Sequence, residues 1–506
     1  MSQRASKPGD ASTAARRFGL GPKPGDLARI ASDPRGYVLA MLNKASEANI
    51  ATAPPLLATP AVFSEMDDLR IEQTILRTFG GGEAVVPKSL PAAPVAKGMA
   101  PLPTPVQTAA ANDANAMAQG GMAAQGAGKP AAGKVNLVGK ARKDMLREEA
   151  LARITRGVAT ETPLLERLVY FWSNHFCVSA VKGDVRALVG PLEREAIRPH
   201  VLGRFADMLA AVEHHPGMLL YLDNTVSIGP NSFVAIGKER GLNENLAREI
   251  LELHTLGVDG GYAQKDVTTL AKVITGWTYG HGETVSEAEY GRFVFTPYRH
   301  EPGPFEVMGK TYAQPGVTAG EAVLADLARH PNTARYLARK LARHFISDNP
   351  PPALVARLEK TFNDSGGDLG QVTRVLVEAD EAWDAPSAKI VPPFDFAVSL
   401  ARGFTKIEPS EILRLTGVLG QPLWHTPSPK GWPDADDSWM GPSPIRERLR
   451  IAEKVAREIK TGDPRLVLAD LGGPGVSEHT QQAVQRAETR EQAFELMIMS
   501  PDFMRR

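Results

Sequence analysis

A single cysteine, Cys177, occurs among the 506 residues. One thiol excludes an internal disulfide and any zinc site built from cysteines. It follows an aromatic helical stretch, where cysteine behaves as a small buried apolar residue. No run approaches the ~20 consecutive apolar residues of a membrane-spanning helix. Net charge is also missing: 58 Lys plus Arg balance 58 Asp plus Glu. That balance argues against a dedicated nucleic-acid binder and against a polybasic membrane-surface patch. Among catalytic signatures there is no Walker loop, strand-anchored Gly-x-Gly-x-x-Gly, His-Glu-x-x-His or Gly-x-Ser-x-Gly elbow. No motif therefore calls for a cofactor or a metal. Arg16-Arg17 is followed by Phe-Gly-Leu-Gly-Pro-Lys-Pro and not by an apolar h-region. No cleavable export signal is read, and the default compartment is the cytoplasm.

What is present is ordinary for a globular chain, with 43% hydrophobic and 23% charged residues. Residues 1–15 are small and polar and read as a disordered N-terminus. An N-terminal helical part covers residues 16–79. Residues 80–133 shift to Ala, Gly, Pro, Met and Gln, too poor in large apolar groups to offset ordering entropy, and read as a disordered insertion. Residues 134–506 form the main helical domain. The fold class is mainly α: one large multi-helix domain with a small β-hairpin, Arg292–Thr296 against Glu306–Tyr312. Helices are expected at Pro163–Cys177 behind Thr162, at Val185–Val212, Glu244–Leu256 and Gln264–Gly276, and at Thr333–Ile346.

The segment Gly241–Gly257 carries two Asn, an Arg, three Glu and a His within one short helix. Asn243 reads as its N-cap and Gly257 as its left-handed stop. At about 100° per residue, Leu246, Ala247, Ile250, Leu251 and Leu253 form an apolar arc. Asn245, Arg248, Glu249 and Glu252 form the opposite face. His254 falls within the apolar arc, across from Glu252, so the two do not make a metal pair. The polar row is either a solvated stripe with an Arg248–Glu252 pair, or a pocket wall with Glu249 and Glu252 as general acid and base.

The Pro163–Cys177 helix repeats the pattern, with His175 inside its apolar arc and Asn174 pointing elsewhere. Two histidines on apolar faces, His175 and His254, must find partners, and Asp223 and Asn224 are candidates. Lys340 and His344 stand at i,i+4 spacing beside an apolar face, where a lysine usually snorkels. The loop from Gly420 to Trp439 holds three Trp in a Pro-stiffened stretch. Its rigid aromatics either stack on sugars or extended peptides or seal the helical core. Asp434, Asp436 and Asp437 lack calcium-loop spacing and read as solvated.

Several ordered blocks, taken together, carry a family resemblance. They are Arg17-Phe-Gly-Leu-Gly-Pro22, Phe171-Trp-Ser-Asn-His-Phe176, Leu219-Leu-Tyr-Leu-Asp-Asn224, Gly229-Pro-Asn-Ser232, Gly241 to Gly257, Gly260 to Val267, Thr275-Gly-Trp277, Gly420-Gln-Pro422, Lys430-Gly-Trp432 and Ser500 to Arg506. The chain resembles the bacterial domain-of-unknown-function family 1800, apart from the insertion. The resemblance implies one large helical domain and assigns no catalytic residues. Many members resemble exported proteins, and they are encoded beside a second uncharacterised family resembling alkaline phosphatases and sulfatases. Such a protein is the partner that the resemblance suggests. Ala263 departs from the Thr or Ser helix cap usual in the family, at a cost of ~1 kcal/mol.

The expected function is binding of a polar ligand, a glycan or a phosphorylated or sulfated compound, with acid–base hydrolysis through Glu249 or Glu252. The expected binding set is Asn174, His175, Asp223, Asn224, Asn243, Asn245, Arg248 and His254, with Trp424 and Trp432. The alternative is a non-catalytic accessory protein that docks its partner through the Trp-rich loop.

Overall fold

The computed structural model describes residues 6–79, 136–235, 241–282 and 284–506. The expected insertion at 80–133 lies outside them. Met1–Met66 and Lys140–Arg506 make one compact unit, and Asp67–Gly139 a second, smaller one. In the second, the described residues other than Asn136 belong to the helices Thr59–Phe79 and Leu137–Ala159.

The described residues form 23 α-helices and two two-stranded sheets. Proline starts many of the helices: Pro163, Pro216, Pro331, Pro352, Pro393, Pro409 and Pro442 sit in first turns. There the missing N–H costs nothing and the ring fixes φ near its helical value. Side-chain oxygens of Asp33, Asp368 and Thr489 cap others. At Ala263 the Asp266 carboxylate accepts the backbone N–H at 2.8 Å, which supplies half of a capping box without a capping side chain.

Three expectations are corrected. Asp10–Arg16 is a helix with Ala11, Ala14 and Ala15 buried, so the small residues serve close packing and not disorder. The Val185–Val212 stretch is not one helix. Its first part ends at Leu192 after Pro191, a π-helical turn spans Glu193–Ile197, and Phe205–Glu213 forms a separate helix. The strand pairing also differs. Trp277–Tyr279 pairs with Phe293–Phe295, and Phe305–Val307 pairs with Lys310–Tyr312. The second hairpin turns at Met308 and Gly309, both at positive φ (52° and 73°). Two positive φ values define a type I′ turn, and Met in the first position hides it from sequence rules.

The core of the larger unit is aromatic around the Pro163–His175 helix: Phe18, Trp172, Phe176, Phe205, Trp277 and Phe345 are fully buried. Within it lies a knot of ions. Arg198, wholly buried, donates to Glu166 at 2.9 and 3.1 Å and to Glu193 at 2.8 and 3.1 Å. Arg153 donates to Glu193 at 2.8 Å and Arg156 to Glu166 at 3.2 Å. The knot fastens the Pro163–His175 helix to the Glu193–His200 segment, and so fixes the helix that delivers Asn174 and His175.

Candidate functional site

A pocket of about 480 Å³ opens where three elements meet. The helices Pro163–His175 and Pro331–Phe345 supply two walls, and the segment 421–434 supplies the third. Phe171, Tyr336, Trp424 and Trp432 give it aromatic surface. Arg153, Arg167, Lys340, Arg343 and Lys430 line it together with two carboxylates, Asp395 and Asp434.

Asn174 shapes the third wall. Its Nδ2 donates to the Trp432 carbonyl at 2.9 Å and its Oδ1 accepts the Trp432 N–H at 2.7 Å. That two-way clasp holds the loop backbone as a neighbouring strand would. Gly431 makes the close approach possible: a Cβ there would stand 2.5 Å from the Asn174 carbonyl oxygen, and its φ is +80°.

His175 forms the floor. Its Nε2–H donates to the His254 carbonyl at 3.1 Å, leaving Nδ1 as an acceptor, and Lys340 Nζ lies 3.0 Å from that Nδ1. Burial, and then the Lys340 charge, hold the His175 imidazole well below its ordinary pKa, so it is neutral. His254 donates from Nδ1 to Glu213 Oε1 at 2.7 Å, and both side chains are fully buried. Burial lowers the Lys340 ammonium to about 8. It also sits 5.3 Å from the Tyr336 ring centroid.

The opposite flank is a second ion network. His344 Nδ1–H donates to Asp434 at 3.1 Å, and its Nε2 accepts from Arg167 at 3.3 Å. Burial lowers His344 to about 4, outweighing Asp434, so this imidazole is neutral too. Asp395 accepts from Arg167 at 3.2 Å and from Arg506. Burial pushes the Asp434 carboxyl up, but His344, Lys389 and Arg506 outweigh it and keep it ionised. Asp434 and Asp436 are half-buried and engaged, not freely solvated as expected, for Asp436 accepts the Ile390 N–H at 3.0 Å, while Asp437 is exposed. Cys177 is buried as expected, beside Thr426 Oγ1 at 2.9 Å, and burial pushes its thiol up to about 11.

The expected binding residues do not gather in one place. Asn174, His175, Trp424 and Trp432 line the pocket, and His254 meets His175 behind it, with ring centroids 6.3 Å apart. Asn224 instead donates to the Ile274 and Trp277 carbonyls at 3.1 and 3.0 Å, fixing the strand that begins there. Asp223, at φ +58°, pairs with Lys182 at 2.5 Å. Asn243 Oδ1 accepts the Asn245 N–H at 2.9 Å, a capping bond placed one residue before the helical N-cap Glu244.

Arg248 pairs with Glu244 at 3.2 Å and Gln264 at 2.9 Å, not with Glu252. Glu252 lies beside Tyr262, whose hydroxyl burial pushes up to about 12. Glu249 is half-buried, and burial raises its carboxyl above the usual range. Neither Glu lines the pocket. The apolar arc itself holds, with Leu246, Ala247, Ile250, Leu251 and His254 buried, and only Leu253, within the π-helical turn Ile250–His254, is half-buried. Trp424 and Trp439 are buried, so the Trp-rich loop seals the core, and only Trp432 of the three is half-exposed.

Sequence reasoning passed over Lys340 as a snorkelling side chain and missed Arg167, Asp395 and Lys430. The i,i+4 spacing of Lys340 and His344 was the one available signal. The other partners are brought in from distant segments. No helix among the described residues is long and apolar enough to cross a membrane, and they hold no cluster of three or more metal-ligating side chains.

No curated protein and no solved structure matches this chain. The family model described as a protein of unknown function (DUF1800) matches residues 13–505, nearly the whole length, and the chain belongs to that family.

Proposed function

We propose that the pocket binds a small phosphorylated or sulfated compound with an apolar or aromatic body. One observation carries this reading: Lys340 and Lys430 line the cavity, and neither forms an ion pair among the described residues. Asp395 and Asp434, the carboxylates present, are already engaged by Arg167, Arg506 and His344. A cation with no carboxylate partner favours an anion, and a monoester oxygen offers Lys340 the ionic acceptor that the neutral His175 imidazole is not. Phe171, Tyr336 and Trp432 give the rest of the molecule a face to pack on. A neutral glycan would leave the lysine charge unanswered, so the anionic compound is preferred.

Calorimetry with phenyl phosphate, phenyl sulfate and a neutral phenyl glycoside tests the reading. The two anions should bind and the glycoside should not. Lys340→Gln and Lys430→Gln should each weaken anion binding by about tenfold, the loss of one charge-assisted contact. Equal affinity for the glycoside, or anion binding unchanged in both variants, would refute it.

A further inference from the structure

Anion binding needs only positive charge at a pocket wall, and the exposed Lys430 supplies that at the rim. Lys340 is placed differently. Its Nζ lies 3.0 Å from His175 Nδ1, a ring nitrogen that can only accept, since Nε2–H is committed to the His254 carbonyl at 3.1 Å. The His254 carbonyl, which can only accept, sets the tautomer of the imidazole behind the lysine, and Glu213 holds the neighbouring His254 ring at 2.7 Å. No carboxylate pairs with Nζ among the described residues. His175 and Tyr336 touch it, and Asp434, Cys177 and Lys430 act on it through space, while Arg153, Arg167, Arg343, His344 and Asp395 line the same cavity. Asp434, the one carboxylate beside it, is engaged by His344 at 3.1 Å. An ammonium with no carboxylate partner, bonded to a neutral acceptor in a cavity with room beside it, is poised to lose its proton to solvent and present a lone pair.

Resting on the anion-binding reading, we propose that Lys340 is an amine nucleophile that captures the aldehyde or keto group of a phosphorylated or sulfated ligand as an imine. The ammonium loses its proton to solvent, and the free amine, held by its N–H···Nδ1 bond to His175, attacks the carbonyl carbon. A C–N bond forms while the carbonyl π pair moves to oxygen, which takes up a proton. The carbinolamine then expels that oxygen as water and leaves C=N, so carbonyl plus amine become imine plus water with no oxidant or reductant. The lowered ammonium supports this placement. At neutral pH a lysine at about 8 holds on the order of a hundredfold more free amine than an ordinary one.

The test uses the full chain with limiting pyridoxal 5′-phosphate, a probe that joins an aldehyde, an aromatic ring and a phosphate. Imines are trapped with cyanoborohydride and mapped by peptide mass spectrometry. Lys340 should be labelled at least tenfold faster than any exposed lysine, and inorganic phosphate should slow it. Lys340→Arg, which keeps the charge, should remove that label. Label spread over exposed lysines with no preference for Lys340 would overturn the proposal, and the wild-type map decides this even if the variant fails to fold. Pyridoxine 5′-phosphate, which lacks the carbonyl, separates the two readings. If it binds while Lys340 is not trapped, imine capture falls and the anion site stands. If it does not bind and nothing is trapped, both fall.

Discussion

Replacing Arg198 with methionine should cost about 3 kcal/mol. The side chain is wholly buried and donates twice to Glu166, twice to Glu193 and once to the Ala48 carbonyl at 2.7 Å. Removing one partner of a buried ion network costs ~3–5 kcal/mol, because the remaining charge is stranded. The lower end applies here, since Glu166 keeps Arg156 and Glu193 keeps Arg153. Unfolding entropy of about 2.1 cal/mol/K per residue over roughly 430 residues turns that cost into a melting-point drop of about 3 °C. Burial pushes the Glu193 carboxyl up, but Arg153 and Arg198 outweigh it and hold it below the usual range. A depressed carboxyl contributes stability above its unfolded pKa and loses it as pH falls through the folded value. The gap between wild type and Arg198→Met should therefore be full at pH 7 and close in strong acid. Scanning calorimetry of Arg198→Met, Glu193→Gln and the double variant makes the cycle. The arginine should matter less once Glu193 is neutral, by at least ~1 kcal/mol. A drop within 1 °C (roughly 1 kcal/mol on the same scale), or the same cost in both backgrounds, would show that the knot is not what holds this helix.

Three further outcomes are expected. Asn174→Ala removes both hydrogen bonds to Trp432 and should open the loop, costing ~1–3 kcal/mol; limited proteolysis should then cut within residues 427–438, and an unchanged digestion pattern would contradict the clasp. Burial lowers His344 to about 4, so the unfolded chain takes up its proton first, and stability should decline as pH falls from about 6.5 toward 4; in His344→Gln, acid melting curves should show a smaller decline over that window, and an identical decline would count against it. Burial pushes the Cys177 thiol up to about 11, so the native protein should react with a thiol reagent far more slowly than the denatured chain, and equal rates would refute its burial.

Much of the local structure was legible in the sequence. Pro163 at a first helical turn, Gly257 as a left-handed stop at φ +84°, and His175 and His254 on buried faces all follow from one-dimensional rules. Those rules work because capping and amphipathic periodicity depend on neighbours within a turn or two. They failed where the helical pitch changed, at the π turn Glu193–Ile197, and where a Met-Gly pair made a hairpin turn.

The sequence by itself determined a mainly helical chain and marked two histidines that could not face water. Tertiary structure alone decided what those histidines serve. Asn174 meets Trp432 across 258 residues and Lys340 meets His175 across 165, separations on which no periodicity bears. The carboxylates of the most conspicuous helix face away from the cavity, while a lysine read as a snorkelling surface residue stands inside it. The reason is physical: a helix fixes which side chains share a face, but only packing against other elements decides whether that face meets solvent, core or pocket.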